Sequence, residues 1–379
     1  MSAAPGSRLL CGLLCALITL IASASPACPF CKSLRPTLSQ RIDAAQIAVL
    51  GERKSDKSIL AHHILRGKSL AKPGSRLPSP DRFAAKTGTL LLLLGSGPKD
   101  ASLEDLKFSA VPLAEASYSY VARAPSPKKK SRDRLRYFAR YLEHADELIA
   151  EDAYQEFGHA AYDEVAAVRD VFLSSKLRTW LADEATPQAR RGFYALALAL
   201  AKEDTKAKQT NAQFLRAIIL RPADDFRAGF DGVLGGYLVA ASEPALKLIE
   251  DRYLANPKAA VGDVRHAIAA LRFYQEYGRA VETKKLAAAL QKLLVRPEFA
   301  AEVIPDLARW KDWSSLETVA LLYEQRGYTA PEIRRAIIGY LLVCPGSSAA
   351  RHLARLRRLD PRGVAAAEKT LSATVVTPE

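Results

Sequence analysis

After its first 27 residues this chain has almost no cysteine: Cys28, Cys31 and Cys344 remain of five, with none between Cys31 and Cys344. Beyond residues 9–21 there is no long apolar run, which excludes a membrane-spanning helix in the rest of the sequence. The absence of GxSxG and HExxH removes the nucleophile elbow and the zincin helix. Lys32 follows Cys31 where a haem-attachment motif needs histidine, and Ser25 precedes Cys28 where a lipid anchor needs a leucine-like residue. Gly67-Lys68-Ser69 ends like a phosphate loop, but His62 stands where the first glycine belongs, and 95–98 lacks a third glycine. Ser69 with Lys72 and Lys86-Thr87-Gly88 echo penicillin-binding enzymes but lie too close together to have a domain between them. His62 and His63, adjacent on an expected strand, would point to opposite faces and share no metal unless a bulge intervened. No cofactor, metal site or catalytic residue is therefore expected.

What is present begins with an address. Residues 1–8 form a weakly basic head, 9–21 an apolar run, and small residues at Ala22 and Ala24 or Ser25 and Ala27 give signal-peptidase spacing. Residues 1–27 read as a secretory leader, which places the mature chain in the periplasm, cell envelope or medium. In an oxidising compartment Cys28 and Cys31 are expected to form a local disulfide, or to leave one thiol paired elsewhere and one free. Redox catalysis by Cys28-Pro29-Phe30-Cys31 is the lesser alternative, because no strand precedes the motif to open a helix at the nucleophile.

Charge is divided unequally. The chain carries +14, yet residues 28–140 hold 22 basic and 9 acidic residues, and residues 141–379 hold 32 of each. A field of one sign on one part implies attraction to anionic surfaces. Envelope polymers and lipid headgroups are the candidates; no specific nucleic-acid binding is expected. The densest cluster, Lys128, Lys129, Lys130, Arg132 and Arg134, is the candidate anion-binding group.

Apolar runs bounded by glycine predict a short helix at 38–45 and strands at 46–50, 58–65, 89–94, 108–113 and 117–121. The run at 89–94 has the composition of a strand buried on both faces. Residues 28–122 are thus expected to form a small basic β-barrel or sandwich, with 72–80 as a loop. Residues 123–134, rich in lysine and proline, read as a linker. Beyond it the periodicity is helical, as in Leu135, Phe138, Ala139 and Leu142, or Phe193, Leu196, Ala197 and Leu200. Thr186-Pro187 and Ser314 with Glu317 suggest helix starts; Gly158, Gly278 and Gly327 suggest stops. Residues 361–379 are expected to fray.

Within that helical region a phrase recurs: Arg190-Arg191-Gly192-Phe193, Arg227-Ala228-Gly229-Phe230, Arg265-His266-Ala267-Ile268 and Arg334-Arg335-Ala336-Ile337, at intervals of 37, 38 and 69 residues. Such a period marks stacked helix pairs. The stretches from Asp263 to Leu271, Pro331 to Ala336 and Thr186 to Arg191 resemble the first helix of HEAT-type repeats, which implies an all-α solenoid over 135–360 that binds a partner protein. The unit around Pro305 departs from the pattern. Arg190, Arg227, Arg265 and Arg334 either tie neighbouring units through acids such as Asp224, Asp225 and Asp263, the preferred reading, or line a partner-binding face. Trp310 and Trp313 are expected to fill core and interface, a ligand platform being the alternative. At the front, the amino-terminal cysteines, Ala45 to Glu52, Ile64 to Gly67 and Gly88 to Leu92 are similar to netrin/TIMP-like OB barrels. That resemblance implies a metalloprotease-inhibitor alternative, in which the free amine and carbonyl of Cys28 chelate zinc. The whole arrangement also resembles exported bacterial proteins, a likeness that implies no activity. The expected architecture is α+β and multidomain, and the expected role is a non-catalytic envelope scaffold.

Overall fold

The structure, a computed structural model, describes Phe30 and residues 34–80, 84–98, 101–222 and 227–376. The expected leader, Cys28, Cys31, Asp224 and Asp225 lie outside the described residues. Helix α1 (Leu38–Ala44) is capped by a reciprocal pair, Thr37 with Gln40. Five strands follow: β1 (Ile47–Ser55), β2 (Ser58–Arg66), β3 (Arg76–Pro78), β4 (Leu90–Ser96) and β5 (Lys107–Leu113). They form one antiparallel sheet in the order β3-β2-β1-β4-β5. Its edges, β3 and β5, do not pair, so where a small barrel or sandwich is expected the structure has one curled sheet, a half-barrel.

Period-two alternation divides the sheet's apolar residues between two cores. Ile47, Val49, Leu91 and Leu93 join Ile59, Ala61 and Leu77 on one face; Ala48, Leu50, Leu92 and Leu94 turn to the other, against the helices. This two-sided burial is what the uninterrupted leucine run requires. It also explains β3, which lies inside the expected loop: Leu77 alone of its three residues is buried, and it closes the outer core.

The expected strand at 117–121 is instead part of helix α2 (Glu115–Arg123). Tyr118 and Tyr120 mimic alternation, but Ser117, Tyr120 and Val121 are the buried residues, at helical spacing. The Ser117 hydroxyl accepts from the Ala114 N–H at 2.9 Å and fixes the first turn.

Helices fill the remainder: α3 (Ser131–Phe138), α4 (Glu147–Gly158), α5 (Tyr162–Ala167), α6 (Ser174–Ala182), α7 (Gln188–Leu200), α8 (Thr205–Leu220), α9 (Phe230–Ala241) and α10 (Glu243–Ile249). Then come α11 (Val261–Tyr277), α12 (Thr283–Gln291), α13 (Pro297–Arg309), α14 (Leu316–Leu322), α15 (Pro331–Val343), α16 (Ser347–Leu359) and α17 (Pro361–Val376). Helix α7 packs on α9 and α9 on α11; α13 packs on α15 and α15 on α17. Pro305 does not break α13, which runs through it.

Two boundaries differ from expectation. Helix α3 begins inside the expected linker and buries Leu135 and Phe138, so only 124–130 is irregular. The apolar core runs without a gap from the inner face of the sheet through the helices, and this loop bridges two parts of it. The expected frayed tail is α17, which buries Val364 and Ala367. Asp360 explains why: its carboxylate accepts from the Gly363 N–H at 2.9 Å, and Pro361 fits the first helical position. The capping box expected at Ser314 and Glu317 does not form; the Ser314 hydroxyl donates to Asp312. Thr186 likewise provides no capping hydrogen bond, and α7 starts after Pro187.

Candidate binding surfaces

The segment that follows the expected cysteine motif is held against the helices along its backbone. The Arg35 N–H donates to Gln155 Oε1 at 3.0 Å, and the Leu38 N–H donates to Asp152 Oδ1 at 2.6 Å. His159 Nε2 meets the Arg35 carbonyl at 2.9 Å; a carbonyl only accepts, so Nε2 carries the proton. Gln155, Asp152 and His159 occupy one side of α4 and the residue after it. Phe30, inside the expected motif, is itself anchored on the helices. Its ring is buried 4.5 Å from the Phe273 ring, over Gly235, where a Cβ would come within 3.0 Å of it. No local pattern announces these contacts, which join residues more than 110 positions apart.

Asp152 is the buried polar centre of this region. Its second oxygen accepts from the Tyr120 hydroxyl at 2.7 Å. Burial pushes its carboxyl up to about 6, against the pull of the Leu38 and Tyr120 donors and of Arg41. Burial and the neighbouring carboxylate together push the Tyr120 phenol well above its ordinary value. One turn on, Glu156 is paired with Arg134.

The recurring arginines reach acids about one period away. Arg190 bonds Glu143 at 2.9 Å and Glu151 at 2.7 Å, Arg227 bonds Asp263 at 2.7 Å, and Arg265 bonds Glu302 at 2.8 Å. Arg334 lies 5.0 Å over the Tyr323 ring, whose hydroxyl donates to Asp360. Arg272 with Asp306 and Arg355 with Glu324 are further long-range pairs, at shorter separations of 34 and 31 residues. Although burial opposes it, the bonds from Glu143 and Glu151 raise the Arg190 guanidinium above its ordinary value. Its side chain is 6% exposed, against 56% for Arg265. Arg190→Ala is therefore expected to cost about 2 kcal/mol, because it strands a largely buried carboxylate. Arg265→Ala is expected to cost about 0.5 kcal/mol or less. Urea unfolding of the two variants measures the contrast.

In the candidate anion-binding group, Lys128, Lys129, Lys130 and Arg132 are exposed. Arg134 does not join them, since its guanidinium turns inward to Glu156. The two histidines depart from simple alternation. The ladder of β2 on β1 skips His62, opposite Leu50 and Gly51, and both imidazoles lie 6.3 Å from the Tyr118 ring. His62 Nδ1 is 3.3 Å from the Tyr118 hydroxyl. Among the described residues no cluster of three potential metal ligands occurs. Trp310 is buried, and Trp313 is half-buried against the core beside the Tyr340 ring while also lining an open groove.

That groove, of about 610 Å³, runs between α13 and α15. Small residues, Ala301, Pro305, Ala308, Ala336 and Gly339, line it together with Tyr340, Val343 and Leu371. Pro305 has no N–H, so the Ala301 carbonyl loses its usual intrahelical donor there. Arg309, Lys311 and Arg335 stand at the edges beside Glu332. A second cleft, of about 350 Å³, opens between α3 and α6. No helix among the described residues is long and apolar enough to cross a membrane. No family model, curated protein or solved structure matches the chain.

Proposed function

We propose that this chain is an exported binding protein with no catalytic step of its own, whose basic front associates with an anionic envelope component while its helices hold a partner protein. The observation that carries the reading is how the cations are used. Beyond residue 140 the recurring Arg190, Arg227 and Arg265 are engaged by carboxylates of neighbouring helices, whereas Lys128, Lys129, Lys130 and Arg132 stand exposed at the junction of sheet and helices. Charge spent inside the stack is cement; charge left outside attracts a ligand.

In this reading the helices form a HEAT-like stack. The support is the succession of contacts from α7 to α9 to α11 and from α13 to α15 to α17, with ion pairs at one-period separation. The partner protein would use the groove between α13 and α15 more than the recurring arginines, which are already engaged. The half-barrel suits an OB-type module, which is itself partly open. The inhibitor or thiol-redox alternative rests on Cys28 and Cys31, outside the described residues.

Inorganic polyphosphate, a polyanion without apolar parts, is the probe. The full chain is expected to bind it with an affinity that falls as salt rises. Reversing Lys128, Lys129, Lys130 and Arg132 to glutamate is expected to weaken binding at least about tenfold. Salt-independent binding, or an unchanged affinity in the reversed variant, overturns the reading.

A further inference from the structure

The cleft between α3 and α6 has a large apolar side chain left in water at its lip. Leu173 is 55% exposed. Behind it Leu142, Phe172 and Leu177 form a buried floor, and the half-buried Trp180 forms a wall. Three cations surround this opening: Arg136, Arg140 and Lys176. Arg136 is neutralised by Asp170, which accepts from it at 2.8 Å and 2.6 Å. Arg140 lies 5.4 Å over the Tyr137 ring and is exposed, as is Lys176. Arg132, one helical turn before Arg136, leads back to Lys128, Lys129 and Lys130.

We infer that this cleft seats an acyl chain of an anionic lipid, with the headgroup on Arg140 and Lys176, so that the protein lies on an anionic membrane by this face. The inference rests on the proposed anion-binding role of the front third and names its partner. Neither signal alone gives stable attachment: a basic cluster is drawn to the surface but is screened by salt, and a few apolar side chains insert reversibly. Here the two stand side by side. Arginine and lysine stems can lie along the apolar wall while their heads remain at the headgroups, and a tryptophan belongs at that depth. A soluble polyanion would use the cations but leave the floor and Leu173 in water. An acidic protein surface would do the same unless it also offered an apolar side chain of the right size.

The test uses the full chain and vesicles of phosphatidylcholine and phosphatidylglycerol in equal parts, with pure phosphatidylcholine as the control. The chain is expected to sediment with the mixed vesicles and not with the control. Brominated acyl chains are expected to quench its fluorescence, and Trp180→Phe to remove most of that quenching. Leu173→Asp is expected to lower vesicle affinity about tenfold while leaving polyphosphate binding intact. Leu173 is the residue just before α6, a position where aspartate is a good helix cap, so this variant is not expected to lose its fold. Lys176→Glu tests the headgroup contact in the same assay. Vesicle binding unaltered in both variants, or quenching that persists in Trp180→Phe, overturns the lipid assignment. If polyphosphate binds normally in that case, the anion-binding role stands without it. If the chain binds neither probe, both fail.

Discussion

Gly232→Val is expected to destabilise the chain by about 3 kcal/mol or more, the largest effect of any single substitution considered for the helices. Helices α7 and α9 meet backbone to backbone. A Cβ on Gly232 would lie 2.6 Å from the Gly192 carbonyl oxygen, and one on Gly236 would lie 2.6 Å from the Ala195 oxygen. The obstruction is main chain, which cannot rotate aside as a side chain can, so the two helices would have to separate. Separation uncovers Phe193, Leu196 and Leu234, all at or near zero exposure. The alternative cause of a glycine requirement, a left-handed backbone, does not apply at Gly232, which lies within a regular helix. Volume is thus the determinant, and a graded series tests it: Gly232→Ala should lie between wild type and valine in thermal unfolding. A valine variant that melts with wild type would mean that the close approach of α7 and α9 is not required.

That contact shows how far local pattern reaches. The small residue in Arg190-Arg191-Gly192-Phe193 and in Arg227-Ala228-Gly229-Phe230 is visible as part of a recurring phrase, and the helical periodicity around it is matched by α7 and α9. Which glycine touches which backbone is set by the crossing of two helices and has no trace in either segment alone. The same division holds elsewhere. Arg227 with Asp263 is an expected pairing that the structure contains, since α9 and α11, which the two residues adjoin, pack on each other. The leucines of β4 are legible as a strand with two buried faces. By contrast, β3 is three residues inside a proline- and glycine-rich stretch, too short for periodicity to register. Residues 117–121 carry alternating tyrosines in a helix, where tertiary contacts decide between two patterns that both fit. At the binding surfaces the basic run at 128–132 was readable from composition, but the inward turn of Arg134 was not. Nor was the cleft by α6, which brings Arg140 beside Leu173 and Trp180 through the packing of separate helices.

The second large effect concerns Asp152, where two opposed influences can be weighed. The Leu38 N–H, the Tyr120 hydroxyl and the field of Arg41 favour the carboxylate; burial and the nearby Glu156 oppose it. Burial wins, and the carboxyl is pushed up to about 6 from an ordinary 3.8. The folded chain therefore holds this proton more tightly than the unfolded chain does. Its contribution to stability is fully present below about pH 3.8 and is lost as pH rises through about 6. The loss amounts to about 3 kcal/mol by neutral pH. Asp152→Asn keeps an oxygen for the Leu38 N–H and can donate to the Tyr120 hydroxyl, whose own proton can turn away. It has no charge to bury, so its stability relative to wild type should rise between pH 4 and pH 7 by that amount. Urea unfolding of both chains across this range reads the difference directly, because the other carboxylates titrate alike in each and cancel. A variant whose stability relative to wild type instead falls between pH 4 and pH 7 would mean that the ionised carboxylate is favoured in place and that Leu38 and Tyr120 are held by charge. The outcome matters for the segment at 34–38, which meets the helices through this side chain, Gln155 and His159. If burial dominates, acidification tightens the seam between that segment, α2 and α4, and hydrogen exchange at the Leu38 amide should slow as pH falls from 7 to 5 by more than the intrinsic chemistry of exchange accounts for.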